Sequence, residues 1–290
     1  MKHAKKLMAA LFAVVMLIAM TACSPQMTLE QKMQKALENM NSMKNADADM
    51  SMDLEMGMMG MTVSMQMKGN IVTFTDPVKM KMDMTLNALG QEQTMEMYAQ
   101  QTEEGITTYA NAAGTGWQVQ QLSSEEFAEQ YSSSMNGSAD VFLKAMKDFT
   151  QAEGTEEING RKTIKVEGMI NGADIAEALK ASGMMDAMGS EMGAADLDME
   201  QLEELTQDMS GMKITMWLDD AKYVPVKFEM DMTEMMNALV EKAMEGVDST
   251  EELGVDLNMQ ISKCRVEITY NKINDAEDFT IPQEALDAAK

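Results

Sequence analysis

Few residues of this chain have the types and spacing that chemistry requires. Of its 290 residues one is a histidine, His3, which falls in a segment typical of a cleaved leader. Without His3 the mature chain has no imidazole to activate a serine or cysteine nucleophile. With 48 Asp and Glu residues, some carboxylate pair of the kind glycosidases use is guaranteed by number alone. The sequence therefore predicts a protein that is not an enzyme and that carries no cofactor.

Methionine is the unusual residue, with 38 in the chain. The segment Met56-Gly57-Met58-Met59-Gly60-Met61 resembles Met-rich Cu(I) sites, because thioethers are soft ligands. Methionine also fills hydrophobic cores, and packing predicts the same alternating positions. Copper binding is therefore an alternative, and no metal site is predicted.

The N-terminus predicts the compartment. Residues 1–22 are typical of a signal peptide, with Lys2, Lys5 and Lys6 before an apolar run. Met20-Thr21-Ala22-Cys23 then resembles a bacterial lipobox, in which Cys23 receives diacylglycerol and an acyl chain such as palmitate. We expect a lipoprotein anchored to the cell membrane or envelope on its extracytoplasmic side, with residues 23–27 as a short tether.

Two further properties limit the partners. The formal net charge of −25 argues against nucleic acid, because binding phosphate requires clustered Lys and Arg. A lipidated Cys23 cannot form a disulfide with Cys264, so Cys264 is predicted to be a buried thiol. The partners expected are the membrane, through the lipid on Cys23, and a lipid or acylated ligand.

The residue pattern of the mature chain predicts mostly antiparallel sheet. Thr28 to Lys44 has the spacing of an amphipathic helix, capped by Thr28 with Gln31. Apolar and polar residues then alternate with period 2, which is typical of strands with one buried face. The strands expected are 50–58, 61–68, 70–75, 78–87, 93–100, 105–111, 117–122, 212–219, 223–233 and 255–270. A β-bulge is predicted near Ser262-Lys263 in the last of them.

Helices and one hairpin interrupt the strands. Helices are expected at 123–132, 139–149, 173–209 (broken by glycines) and 234–245, and a hairpin at 155–167 turning on Asn159-Gly160. Phe279 to Pro282 is expected to close the domain, followed by a short polar tail. Residues 77–85 match 225–233 at seven of nine positions. Duplication and convergence of Met-rich strands both explain that match.

The lipobox, the helix after it and the Met-rich strands 47–100 together resemble the LolA/LppX-like superfamily of bacterial envelope lipoproteins, in particular its Met-rich branch. The segments Trp217-Leu218-Asp219, Tyr223–Lys227 and Thr280-Ile281-Pro282 carry the same resemblance. It implies an α+β fold over residues 28–290, with a single strongly curved antiparallel sheet, an unclosed barrel, and helices packed on the concave face. Some relatives hold acyl chains of lipids or lipoproteins on that face, and others in this class have no established ligand.

We therefore expect a binding protein for a lipid or other hydrophobic ligand, held on a Met-lined concave sheet. The residues expected to line it are apolar positions of the two matching strands and one neighbour: Met80, Met82, Met84, Met216, Phe228, Met230 and Met232. Two alternatives stay open. One is a structural or interaction lipoprotein without a small ligand, and the other is Cu(I) binding through methionine.

Overall fold

A computed structural model describes residues 27–58, 61–123, 125–126, 138–181, 209, 211–245 and 259–289. All structural statements concern these ranges. Twelve strands form one antiparallel sheet. They are β1 Asn45–Met58, β2 Met61–Thr75, β3 Val78–Ala88, β4 Gln91–Thr102, β5 Gly105–Ala112, β6 Gln118–Leu122, β7 Lys147–Gln151, β8 Glu156–Ile158, β9 Arg161–Ile170, β10 Met212–Asp219, β11 Pro225–Asp231 and β12 Met259–Ile273.

The order of the strands places the first and last strands of the chain next to each other. Across the sheet it runs β6-β5-β4-β3-β2-β1-β12-β11-β10-β9-β7, and β8 pairs with β9 beside β7. The outermost strands β6 and β7 do not pair with each other, so the sheet is not closed. The predicted fold class, one unclosed curved antiparallel sheet with helices, is confirmed. The first and last strands, β1 and β12, meet at its centre over residues 46–58 and 259–273.

Within the described ranges five helices accompany the sheet: α1 Leu29–Asn41, α2 Ser138–Ala145, α3 Gly172–Ala181, α4 Thr233–Glu245 and α5 Gln283–Ala288. The predicted capping box begins α1. The backbone N–H of Gln31 donates to Thr28 Oγ1 at 3.3 Å, and the backbone N–H of Thr28 donates to Gln31 Oε1 at 2.9 Å. None of the helices in the described ranges is long and apolar enough to cross a bilayer.

The side chains of the sheet divide between two faces. The methionine face carries Met50, Met67, Met82 and Phe228 and their neighbours at period 2, and helices α1 to α4 pack over its β7–β12 side. The opposite face, called the polar face, carries charged residues in cross-strand pairs. On it Lys213 and Lys165 both contact Glu167 at 3.0 and 3.1 Å. The alternation read from the sequence therefore sorts apolar and charged residues as expected.

The C-terminal segment packs on the polar face. Phe279, Ile281 and the buried Ala285 of α5 cover Tyr98 and Tyr109. The Lys79 ammonium fixes this segment, because it pairs with Asp278 and lies 4.8 Å from the centre of the Phe279 ring. The prediction of a polar tail after Pro282 was wrong, since that tail forms α5 and contributes Ala285 to a small core.

Several predicted element bounds also differ. Residues 147–149, predicted to continue a helix, belong to β7, because the helix ends at Ala145 and the chain then pairs with β9. Segments 61–68 and 70–75 form the single strand β2. The bulge at Ser262-Lys263 is confirmed, since Glu55 pairs with Lys263 while Met56 pairs with Ile261. Most of the predicted helix 123–132, most of 182–209 and residues 255–258 lie outside the described residues.

The matching segments occupy β3 and β11, which are separated in the sheet by β2, β1 and β12. Both segments bury their large apolar side chains on the methionine face. These are Met80, Met82 and Met84 in residues 77–85, and Phe228, Met230 and Met232 in residues 225–233. Duplication and convergence both predict this placement.

Candidate functional site

The residues predicted to line a ligand site lie at either side of the sheet's centre. Met80, Met82 and Met84 are 0%, 8% and 7% exposed in a cluster formed by β3 to β6. The other four belong to a larger cluster under the helices: Met216, Phe228, Met230 and Met232 are each 3% exposed or less. The structure thus places the seven in two groups within the core, and their role in lining a ligand stays a prediction.

Between the two groups runs a band of apolar side chains that is only half-buried. It follows the three central strands, and we call it the central strip: Met50, Met52, Leu54 and Met56 of β1, Val63, Met65 and Met67 of β2, and Val266 and Ile268 of β12. Cross-strand pairing makes it continuous, because Met52 lies opposite both Met67 and Val266. Leu54 likewise lies opposite Met65. The strip is therefore one apolar surface with solvent access.

The central strip is flanked by the predicted residues. One row across the sheet joins Phe228, Ile268, Met50, Gly69 and Met84 in successive strands. Phe228 and Met84 are its buried ends, and Ile268 and Met50 are its half-buried middle. The predicted residues thus form the walls of the strip.

Helices leave the strip accessible in the described part of the chain. There α4 packs against β12 and α1 against β7, while no helix makes an extensive contact with β1 or β2. Exposure rises toward the turn between β1 and β2. Beyond Met56 and Val63 lies Met61, which is 61% exposed. The strip therefore opens at that end of the sheet.

Charges behind the strip hold its three strands together. On the polar face Asp53 of β1 accepts from Gln66 of β2 at 2.7 Å and from Lys263 of β12 at 3.1 Å. The hydrogen bond from Gln66, followed by the contact with Lys263, holds the pKa of Asp53 below its usual value. The strip thus has an apolar front and an ion-paired back.

The polar face also has a groove of about 380 Å³. Its lining includes Asp49, Ser51, Lys68, Asp83, Thr85, Glu267 and Thr269. Asp83 pairs with Lys81 at 2.7 Å and Glu267 with Lys227 at 2.8 Å. Such a charged lining does not suit an acyl chain.

Cys264 is positioned as a core residue. Its side chain is buried under α4, and its backbone N–H donates to Thr233 Oγ1 at 2.9 Å. Burial, with a smaller effect from Asp231, raises the pKa of the thiol to about 11. A thiol held neutral in this way is a poor nucleophile, and the prediction that Cys264 is buried is confirmed.

No group of three or more His, Cys, Asp and Glu side chains among the described residues is arranged to hold a metal ion. In the Met-rich segment proposed for copper, Met56 is half-buried and Met61 is exposed, whereas Met59 and Gly60 lie outside the described residues. The copper alternative therefore stays a prediction.

Sequence reasoning missed the central strip. It selected the strands with the most regular alternation, and these are the ones whose apolar side is best buried. The signal that marks β1, β2 and β12 is their pairing at the centre of the sheet, which joins residues more than 200 positions apart.

Comparison with solved structures finds proteins of the kind that the sequence resembles. Lipoprotein LppX of Mycobacterium tuberculosis matches with 12% identity and a TM-score of 0.44, over 85% of this chain and 95% of its own. LprF of Mycobacterium bovis matches with 13% identity and a TM-score of 0.46, over 88% and 96%. A DUF1329 family protein of Desulfovibrio piger matches with 9% identity and a TM-score of 0.21, over 84% and 92%. Identities this low support no conclusion about a ligand of this chain.

Among curated proteins, none is similar to this chain in sequence. One family model does match it, and the match extends from residue 28, at the cap of α1, to residue 290. Since that is most of the chain, the protein belongs to DUF6612, a family of unknown function.

Proposed function

We propose that this protein is a non-enzymatic lipoprotein, anchored through Cys23 on the extracytoplasmic side of the membrane, that binds a lipid or another hydrophobic ligand on the central strip. The observation that carries this proposal is the continuous half-buried apolar surface of β1, β2 and β12. A protein gains stability by burying such a surface, so one left accessible is typical of a binding site.

The composition of the strip favours flexible apolar ligands. Met50, Met52, Met56, Met65 and Met67 supply five of its nine side chains. Methionine has three rotatable bonds and a polarizable sulfur, so it repacks around chains of different shape. None of the nine side chains that define the strip is charged, so affinity comes from burying apolar surface.

The test is native mass spectrometry on the mature chain with Cys23→Ser, followed by denaturing mass spectrometry to identify what is released. We expect a co-purified acyl lipid, or binding of one after incubation with a lipid extract. A chain that stays bare after that incubation would overturn ligand binding. Stoichiometric copper in place of lipid would support the metal alternative.

Matched variants locate the site. Met52→Gln and Met67→Gln keep the length of facing side chains but place an amide against the ligand, so each lowers affinity by about tenfold. Met169→Gln is the control, because Met169 is equally half-buried but alternates onto the polar face of β9. Equal losses in all three variants would contradict a site on the central strip.

A further inference from the structure

Two of the large exposed apolar side chains in the described part of the chain lie together at one end of the sheet. Within the described ranges four large ones are exposed: Met27, Met61, Leu89 and Met95, at 36%, 61%, 78% and 38%. Met61 begins β2, Leu89 is in the turn between β3 and β4, and Met95 lies within β4, where it pairs with Met84 of the central row. Because β2 and β3 pair with Met65 opposite Ala88, Met61 and Leu89 lie at the same end of the sheet. We call it the tip end, and the fourth, Met27, lies in the tether after Cys23.

Leu89 is energetically unfavourable at its position for two reasons. Its turn with Gly90 has φ values of 53° and 76°, a conformation in which Asn-Gly is the favoured pair. The same chain uses Asn159-Gly160, at 50° and 73°, in the turn between β8 and β9. A leucine here adds backbone strain and exposes a large apolar surface. Neither folding nor solubility explains it, which indicates a contact outside the chain.

The direction of α1 relates the tether to the tip end. At the end of α1, Asn39 donates to the Lys222 carbonyl in the turn between β10 and β11, at the opposite end of the sheet. Seven residues earlier, Lys32 donates to Gln151, which pairs with Val166 in the middle of β9. The helix therefore runs away from the tip end, and its first residue points back toward it. Five tether residues reach at most about 17 Å from a lipidated Cys23.

We propose that the tip end docks on the lipid bilayer, with Met61 and Leu89 inserted among the lipids. Since the chain carries a net charge of −25, the contact is apolar and not electrostatic. Two side chains suffice because the anchor on Cys23 keeps the tip end close to the surface, which raises its effective concentration. If the proposed function holds, the open end of the central strip meets the bilayer, and a ligand passes between them without crossing water.

The experiment anchors the protein independently of lipidation. A hexahistidine tag replaces Cys23 in the mature chain, which is attached to phosphatidylcholine vesicles containing a nickel-chelating lipid. Met61→Cys carries a polarity-sensitive dye, since Cys264 is buried and does not react. Glu103→Cys is the matched control. Glu103 is exposed in the turn between β4 and β5, at the end of the sheet opposite the tip end. Brominated phosphatidylcholine quenches only a dye that reaches the acyl chains.

We expect a blue shift and quenching at position 61 and neither at position 103. Adding Leu89→Asn leaves the thermal stability unchanged or higher, because Asn suits the turn, yet lowers the ratio of docked to undocked protein about tenfold. No quenching at 61, or equal quenching at 103, overturns the proposal. A blue shift without vesicles that grows with protein concentration also overturns it, because a second copy then covers the tip end. Ligand binding by the unanchored chain is measured separately, so the two proposals fail independently.

Discussion

Gly69 of β2 is the position where the methionine face has no room for a side chain. It lies between Met50 and Met84 in the row that joins the walls of the central strip. A Cβ at position 69 would lie 2.3 Å from Met84 Sδ and 2.4 Å from the backbone oxygen of Asp83. Both distances are far inside van der Waals contact, so Gly69→Ala must displace the thioether and the neighbouring strand.

The expected magnitude follows from two opposing effects. Overpacking a filled core costs about 1–3 kcal/mol of unfolding free energy. Replacing a strand glycine by alanine returns about 0.5–1 kcal/mol, because glycine loses more backbone entropy on folding. The Asp83 oxygen belongs to the β3 backbone and cannot rotate away, so the cost falls in the upper half of its range. We expect a net loss of about 2 kcal/mol, or a fall in Tm of about 4–8 °C for a domain of this size.

Urea and thermal unfolding measure the effect. Gly57→Ala in the adjacent strand is the control, because there the nearest atom to a Cβ is the Gln260 oxygen at 3.7 Å, an ordinary contact. It should leave stability unchanged or raise it. Gly69→Ala/Met84→Ala removes the thioether clash but leaves the clash with Asp83, so it should not regain wild-type stability. A Gly69→Ala protein as stable as the wild type would refute the packing described for the central row.

Two other predictions concern titration. At pH 8 the Cys264 thiol, with its pKa raised to about 11 by burial, should react with Ellman's reagent only after urea unfolds the chain; stoichiometric labelling of the native protein would contradict its burial. The hydrogen bonds from Lys213 and Lys165 hold the pKa of Glu167 below its ordinary value of 4.5, so its contribution to stability is present above that pH and is lost as the pH falls through the lower, folded value. Glu167→Gln should therefore flatten the acid side of the stability profile, measured by urea unfolding from about pH 5 to about pH 3. Glu157→Gln, which changes an exposed carboxylate with no ion pair among the described residues, should leave that profile unaltered.

Period-2 alternation predicted the strands well because burial on one face constrains every second residue. Thr28 with Gln31, and Asn159 with Gly160, were predictable because caps and tight turns depend on residues close in sequence. Residues 147–149 were mistaken for helix because their composition is compatible with helix, whereas pairing with β9 decides their structure. Helix α5 was missed because six residues carry too little periodicity to detect.

The candidate site was less predictable than the fold. Whether an apolar residue on a strand is buried depends on what packs over it, and local sequence does not record that. Met82 and Met52 have the same surroundings in sequence, with polar residues on either side. Met82 is nevertheless 8% exposed, whereas Met52 is half-buried in the strip. Met82 lies within a cluster of side chains from β3 to β6, whereas Met52 lies at the margin of the core under the helices, and a pattern in one strand cannot reveal that difference.

The meeting of β1 and β12 also determines when the sheet can be finished. As the chain is synthesised from its N-terminus, β1 to β6 can form from neighbouring hairpins, but β1 remains an edge until β12, residues 259–273, has emerged. During that time its row of alternating methionines and its unpaired backbone are available to any other extended chain. Pairing β1 with β12 joins residues more than 200 positions apart, which is slow because loop closure must come before the contacts that reward it. Expression yield, dependence on chaperones and sensitivity to truncation should therefore depend on the last strand, although the surface it completes lies at the centre of the domain.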